Sequence, residues 1–110
     1  MGNLDRLQLL RTFIEEEPEN PFNYYALALE LREKDADEAE QLFDFILEHH
    51  PDYLAVYFPA AHFFEALSQI QKARLLFEKG IALALDLTEE KTLKELKNAY
   101  QNFLFEHDLD

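Results

Sequence analysis

Apolar positions recur every three or four residues along most of this chain. Leu7, Leu10, Phe13 and Ile14 form the first such stripe, a spacing that puts side chains on one face of an α-helix. Punctuation cuts the pattern into six segments. The first helix is predicted from about Asn3 to Glu17, with Asn3 as cap, Asp5 against its positive end, and Pro18 as its stop. Asn20-Pro21 is a cap followed by proline at the first helical position, opening a second helix from Pro21 to Lys34. Asp35 with Glu38 is a capping-box pattern for a third, which ends before Pro51. Asp52 caps a fourth from Tyr53 to Leu67, in which Pro59 falls inside the helix and predicts a kink or a freed Ala55 carbonyl facing the groove. Ser68 with Gln71 is a second capping box, opening a fifth helix up to about Leu85. Asp86 with Glu89, or Thr88 alone, starts a sixth that continues to about His107. Connections of about two to five residues predict antiparallel neighbours.

The segments repeat. An offset of about 34 residues carries Ala39 onto Ala73, Phe43 onto Phe77 and Leu47 onto Ile81, and about 33 carries Pro18 onto Pro51. A period in this range marks stacked helix pairs, each burying its apolar face against its neighbours. Small side chains at Ala28, Ala39, Ala61 and Ala73 suit helix crossings with axes about 8–10 Å apart. Tyr24, Phe43, Tyr57 and Phe77 are placed to fill the space beside them.

Tyr24, Leu27-Ala28, Leu31, Ala39, Phe43, Ile46 and Pro51, followed by Tyr57, Ala60-Ala61, Phe64, Ala73, Phe77 and Gly80, resemble the tetratricopeptide repeat (TPR) family, in its small bacterial form. Two positions depart from that pattern: the turn after Leu31 is one residue short, and Leu85 stands where the second proline would fall. The resemblance implies an all-α, TPR-like α-α superhelix of about six antiparallel helices. It would form a single domain over 1–110: a helix-B-like half repeat at 3–18, repeats at 20–52 and 53–86, and a capping helix at 88–108. It also implies a non-catalytic scaffold that binds a protein or peptide in a concave groove lined by the first helix of each repeat.

Helical spacing beside the core stripe places the groove. On the second helix it selects Phe22, Tyr25, Leu29 and Arg32; on the fourth, Phe58, His62 and Glu65; on the sixth, aligned on Leu93, Leu96 and Tyr100, it selects Lys91, Lys94, Asn98 and Gln101. The groove would be aromatic at one end and basic-polar at the other, docking an apolar segment against rigid rings. The alternative is that these side chains pack against helices one, four and six, since large exposed apolar patches are uncommon on monomers. The carboxylate clamp of chaperone-binding TPR domains is missing, because Phe22, Ala26 and Pro59 stand at its positions.

Composition narrows the partners. The 110 residues are 48% hydrophobic and 14% aromatic, ample for a folded core. With a net charge of −13, phosphate backbones and anionic lipids are repelled, so neither nucleic acid nor membrane is expected. No cysteine is present, which removes disulfides and thiolate chemistry. No apolar run reaches the ~18 residues of a membrane span, and a cytoplasmic location is expected. Met1-Gly2 reads as a cloning remnant or a myristoylation start, and the residues after it lack the Ser or Thr of the lipid motif. Leu104, Phe105 and Leu109 exceed the stripe of the sixth helix. They either fold back, leaving a monomer, which is favoured, or pair weakly with a second copy as an oligomerisation module.

Candidate chemistry is sparse. His49 and His50 are adjacent, so their side chains diverge by about 100°. His62 and Glu65 share a face but make only two ligands, so no metal site and no cofactor are expected. The same pair is the only candidate for proton chemistry, and Ser68, the single serine, reads as a cap. An enzyme is therefore not expected.

Overall fold

Two of the predicted caps form as read. In a computed structural model, which describes residues 3–109, Asn20 accepts the Phe22 N–H at 3.0 Å and Pro21 follows it at the start of a helix. Asp35 accepts the Glu38 N–H at 3.2 Å. The helices are α1 (Asn3–Glu16), α2 (Pro21–Leu31), α3 (Ala36–His49), α4 (Tyr57–Ala66), α5 (Ile70–Asp86) and α6 (Glu90–Glu106), with a 3-10 turn at Leu54–Val56. Among the described residues there is no strand. The readings of Met1 and Gly2, and of the Asn3 side chain as a cap, lie outside the described residues.

The chain divides into two compact units, parting between Val56 and Tyr57. In the first, α1 packs on α2 and α2 on α3; in the second, α4 packs on α5 and α5 on α6. Each unit is centred on small residues with no exposed surface: Ala28 and Ala39 in one, Ala61 and Ala73 in the other. Phe43 and Phe77 are likewise fully buried and Tyr57 nearly so, whereas Tyr24 is only half-buried. Tyr24 tilts against Phe45 and donates its hydroxyl to the Pro18 carbonyl at 2.8 Å. Among the described residues no helix is long and apolar enough to cross a membrane.

Several helix ends differ from the sequence reading. α2 stops at Leu31 instead of Lys34, and the turn after it closes with the N–H groups of Lys34 and Asp35 both on the Leu31 carbonyl, at 3.0 and 2.8 Å. The capping box at Asp35 is only half made. The Glu38 carboxylate takes a bidentate pair from Arg11, at 2.6 and 2.9 Å, and the guanidinium holds its carboxyl below the usual range. α4 starts at Tyr57, four residues later than predicted. Pro59 therefore lies in its first turn, where the missing N–H would have had no intrahelical partner, and no kink is required.

Ser68 and Thr88 were expected to open helices; each instead closes one. Ser68, Thr88 and Asp108 have φ of 63°, 53° and 55°, the left-handed conformation that ends a helix. Each is flanked by the same pair of bonds: Ser68 N–H to Glu65 O with Gln69 N–H to Phe64 O, Thr88 N–H to Leu85 O with Glu89 N–H to Ala84 O, and Asp108 N–H to Phe105 O with Leu109 N–H to Leu104 O. Neither Gln69 before α5 nor Glu89 before α6 makes a side-chain cap bond. The connections are so short that their residues finish one helix before they can cap the next.

Thr88 is the strained member, since a β-branched side chain crowds the left-handed region. Thr88→Gly is expected to raise stability by about 0.5–1 kcal/mol, the relief of strain exceeding glycine's extra unfolded-state entropy. Urea denaturation measures it, and a net loss would mean that Thr88 is comfortable there.

Candidate functional site

Phe58, His62 and Glu65 fall on one stripe of α4, at i, i+4 and i+7. That stripe forms a wall of an open cleft of about 630 Å³ within the second unit, and α6 supplies the facing wall through Glu95, Asn98, Ala99, Asn102, Phe103 and Glu106. α5 ties the walls together: the buried Phe77 ring meets His62 edge-on at 5.6 Å and Phe103 at 5.2 Å. Phe58 is 38% exposed and tilts against His62 with centroids 4.7 Å apart.

Half of the polar residues of this cleft are acidic. Glu65, Glu95 and Glu106 line it, and no lysine or arginine is among the described residues that do so. His62 Nδ1 lies 3.4 Å from one oxygen of Glu65. The other Glu65 oxygen lies 2.8 Å from Nε2 of His107, beyond the last turn of α6. The His107 ring tilts against Phe103, with centroids 4.8 Å apart.

Of the residues selected from sequence, Phe58, His62, Glu65 and Asn98 are brought together, while the exposed Gln101 is not among them. Lys91 and Lys94 are exposed on the first half of α6 and do not line the cleft. The reason is rotational register. α6 was aligned on Leu93, Leu96 and Tyr100, but the side chains it buries most deeply are Leu96 and Phe103, while Leu93 and Tyr100 stay half-buried. Rotating the helix to that seam brings up 95, 98, 99, 102 and 106, and the basic end expected of the groove becomes an acidic one. Glu95, Asn102, Glu106 and His107 were missed for this reason. A seam drawn through Leu96 and Phe103 alone, a heptad apart, would have exposed the first three.

The remaining four residues lie in the first unit. Phe22 is 56% exposed. Tyr25 is half-buried and meets Tyr53 edge-on at 5.6 Å; burial pushes both phenols above their ordinary pKa, with Arg32 opposing the rise at Tyr25. Leu29 is half-buried, and the Arg32 Nε donates to its carbonyl at 3.3 Å. The C-terminal apolar excess does not all fold back. Leu104 and Leu109 are half-buried, but Phe105 is 86% exposed.

Solved structures resemble this chain, among them two of tetratricopeptide repeat domain proteins. The solution NMR structure of a tetratricopeptide repeat domain protein from Salinibacter ruber matches at 34% identity with a TM-score of 0.73, over 79% of this chain and 89% of that one. A crystal structure of a tetratricopeptide repeat domain protein from the same organism matches at 33% identity with a TM-score of 0.71, over 76% of this chain and 96% of that one. No protein-family model matches the chain, and no curated protein does.

Proposed function

Because the chain belongs to the tetratricopeptide repeat family, whose modules typically mediate protein interactions, we propose that it is a non-catalytic scaffold binding a peptide segment in the cleft between α4 and α6. In this role residues 1–110 would act as one repeat domain. The observation that carries it is the pairing of an exposed aromatic anchor, Phe58, with three carboxylates around the same opening. An apolar side chain of the partner would pack on Phe58, where a rigid ring supplies contact area at little entropic cost. Lysines or arginines flanking it would face Glu65, Glu95 and Glu106, and the Asn98 and Asn102 amides would take the partner's backbone. The preferred ligand is therefore a basic segment with an apolar centre. Phe22 on α2, with Tyr25, Leu29 and Arg32, is a further proposed contact surface.

Fluorescence anisotropy with two labelled peptides, sharing an apolar core but flanked by lysines or by glutamates, tests this. The lysine peptide is expected to bind the tighter of the two and to weaken as salt rises. Phe58→Ala is expected to weaken it about tenfold, corresponding to about 1.4 kcal/mol. Equal binding of both peptides, or an unchanged affinity in Phe58→Ala, would remove the cleft as the site.

Phe105, 86% exposed, supports a second reading, pairing between copies, which the −13 charge opposes. Sedimentation at moderate salt is expected to give a 13.0 kDa monomer. A dimer that Phe105→Glu dissociates would favour the oligomerisation module instead.

A further inference from the structure

We propose that Glu65, Glu106 and His107 form a binding site for one divalent transition-metal ion of the zinc class. The site does not depend on the peptide reading. The three residues come from the end of α4 and the end of α6, and one ligand atom from each lies within 4.8 Å of the others. From sequence alone His62 and Glu65 were two ligands without a third; the fold adds Glu106 and His107 across the cleft.

Two of the three ligand atoms stand near the spacing of a bound ion, and the third lies within 4.8 Å of them. A tetrahedral ion with ligands at about 2.0–2.1 Å holds them about 3.3 Å apart. His107 Nε2 and Glu65 Oε2 are 2.8 Å apart, so they need to part by about half an ångström. Glu106 is exposed on the last turn of α6, and its carboxylate must swing inward to complete the set.

The two remaining ligands are already held. Glu65 sits inside α4, and His62 approaches its other oxygen at 3.4 Å, which suits an outer partner that orients a ligating carboxylate. His107 is fixed by its N–H bond to the Phe103 carbonyl at 3.1 Å, by the left-handed Asp108 after it, and by its ring against Phe103. One imidazole nitrogen with two carboxylates is a donor set for zinc-like ions, whereas magnesium and calcium take oxygen alone. The −13 chain draws cations towards it. Three protein ligands leave a fourth position for water or for a donor from another molecule.

Titration calorimetry of zinc chloride into the chelator-washed full chain, near neutral pH, tests the proposal. One equivalent is expected to bind. Glu106→Gln and His107→Ala are each expected to weaken it by about tenfold or more, and His62→Ala by less, as an outer partner. The double variant His49→Ala with His50→Ala, the other two histidines of the chain, is expected to bind as wild type. Cobalt(II) is expected to give a tetrahedral visible spectrum that His107→Ala abolishes. Glu106 is exposed, so Glu106→Gln carries the test even if His107→Ala perturbs the end of α6, which circular dichroism detects. The proposal is overturned by the absence of stoichiometric zinc binding, by binding that Glu106→Gln leaves intact, by loss in the His49/His50 variant, or by magnesium binding equally well.

Discussion

Phe77→Ala is expected to destabilise the protein by about 3–5 kcal/mol, the range for emptying a buried aromatic site. Phe77 has no exposed surface, and its ring meets three others: His62 on α4, and Tyr100 and Phe103 on α6. Collapse cannot refill the space, because these rings are carried by two different helices. A small domain holds only about 5–15 kcal/mol in total, so the variant is expected to sit near the edge of folding. Urea denaturation followed by circular dichroism gives the number, with Leu75→Ala as the comparison. Leu75 is 49% exposed on the same helix, and its loss is expected to cost about 1 kcal/mol or less. Similar losses in the two variants would mean that Phe77 does not hold the second unit together. Because the ring joins both cleft walls, peptide affinity is expected to fall in Phe77→Ala even where it remains folded.

Gly80→Ala is expected to reverse a usual sign. Inside a helix this change ordinarily stabilises by about 0.5–1 kcal/mol, since glycine is the more flexible residue in the unfolded chain. Here a β-carbon would lie 2.8 Å from the Tyr57 Cβ, 3.2 Å from the Leu96 Cδ1 and 3.3 Å from the Tyr57 Cγ. The first is an overlap with an atom fixed to the α4 backbone, so α4 and α5 must separate. Overpacking of this kind costs about 1–3 kcal/mol, and a net loss of about 2 kcal/mol is expected. Gly80→Val is expected to lose more. Chemical denaturation checks both, and a gain in Gly80→Ala would mean that the helices yield more readily than their buried faces imply.

The helices were legible because their faces are written in three-to-four-residue spacing and their interruptions in proline and capping side chains. Ala39 and Ala73 could be paired by offset alone, and both are fully buried. What misled was chemistry that serves two purposes. Ser68 and Thr88 carry the side chains of helix starters, yet left-handed termination is a backbone event that any residue can be made to adopt, and no glycine marks it. The cleft was half legible for a similar reason. Phe58, His62 and Glu65 follow from one helix's spacing, but Glu95, Glu106 and His107 join them only through the rotation at which α6 docks. That rotation is decided by Phe103 against Phe77, a contact between side chains far apart in the chain.

The principal helix pairings are α1 with α2, α2 with α3, α4 with α5 and α5 with α6, so each partner is the next segment of chain. This has a kinetic consequence. Closing a short connection costs little entropy, and chains dominated by such local contacts fold in microseconds to milliseconds. During synthesis, each pairing within a unit becomes available as soon as its second helix has been made, with no distant segment to await. The apolar faces of α2 and α4 are therefore exposed only briefly, which protects a chain with ten phenylalanines from association before it has folded.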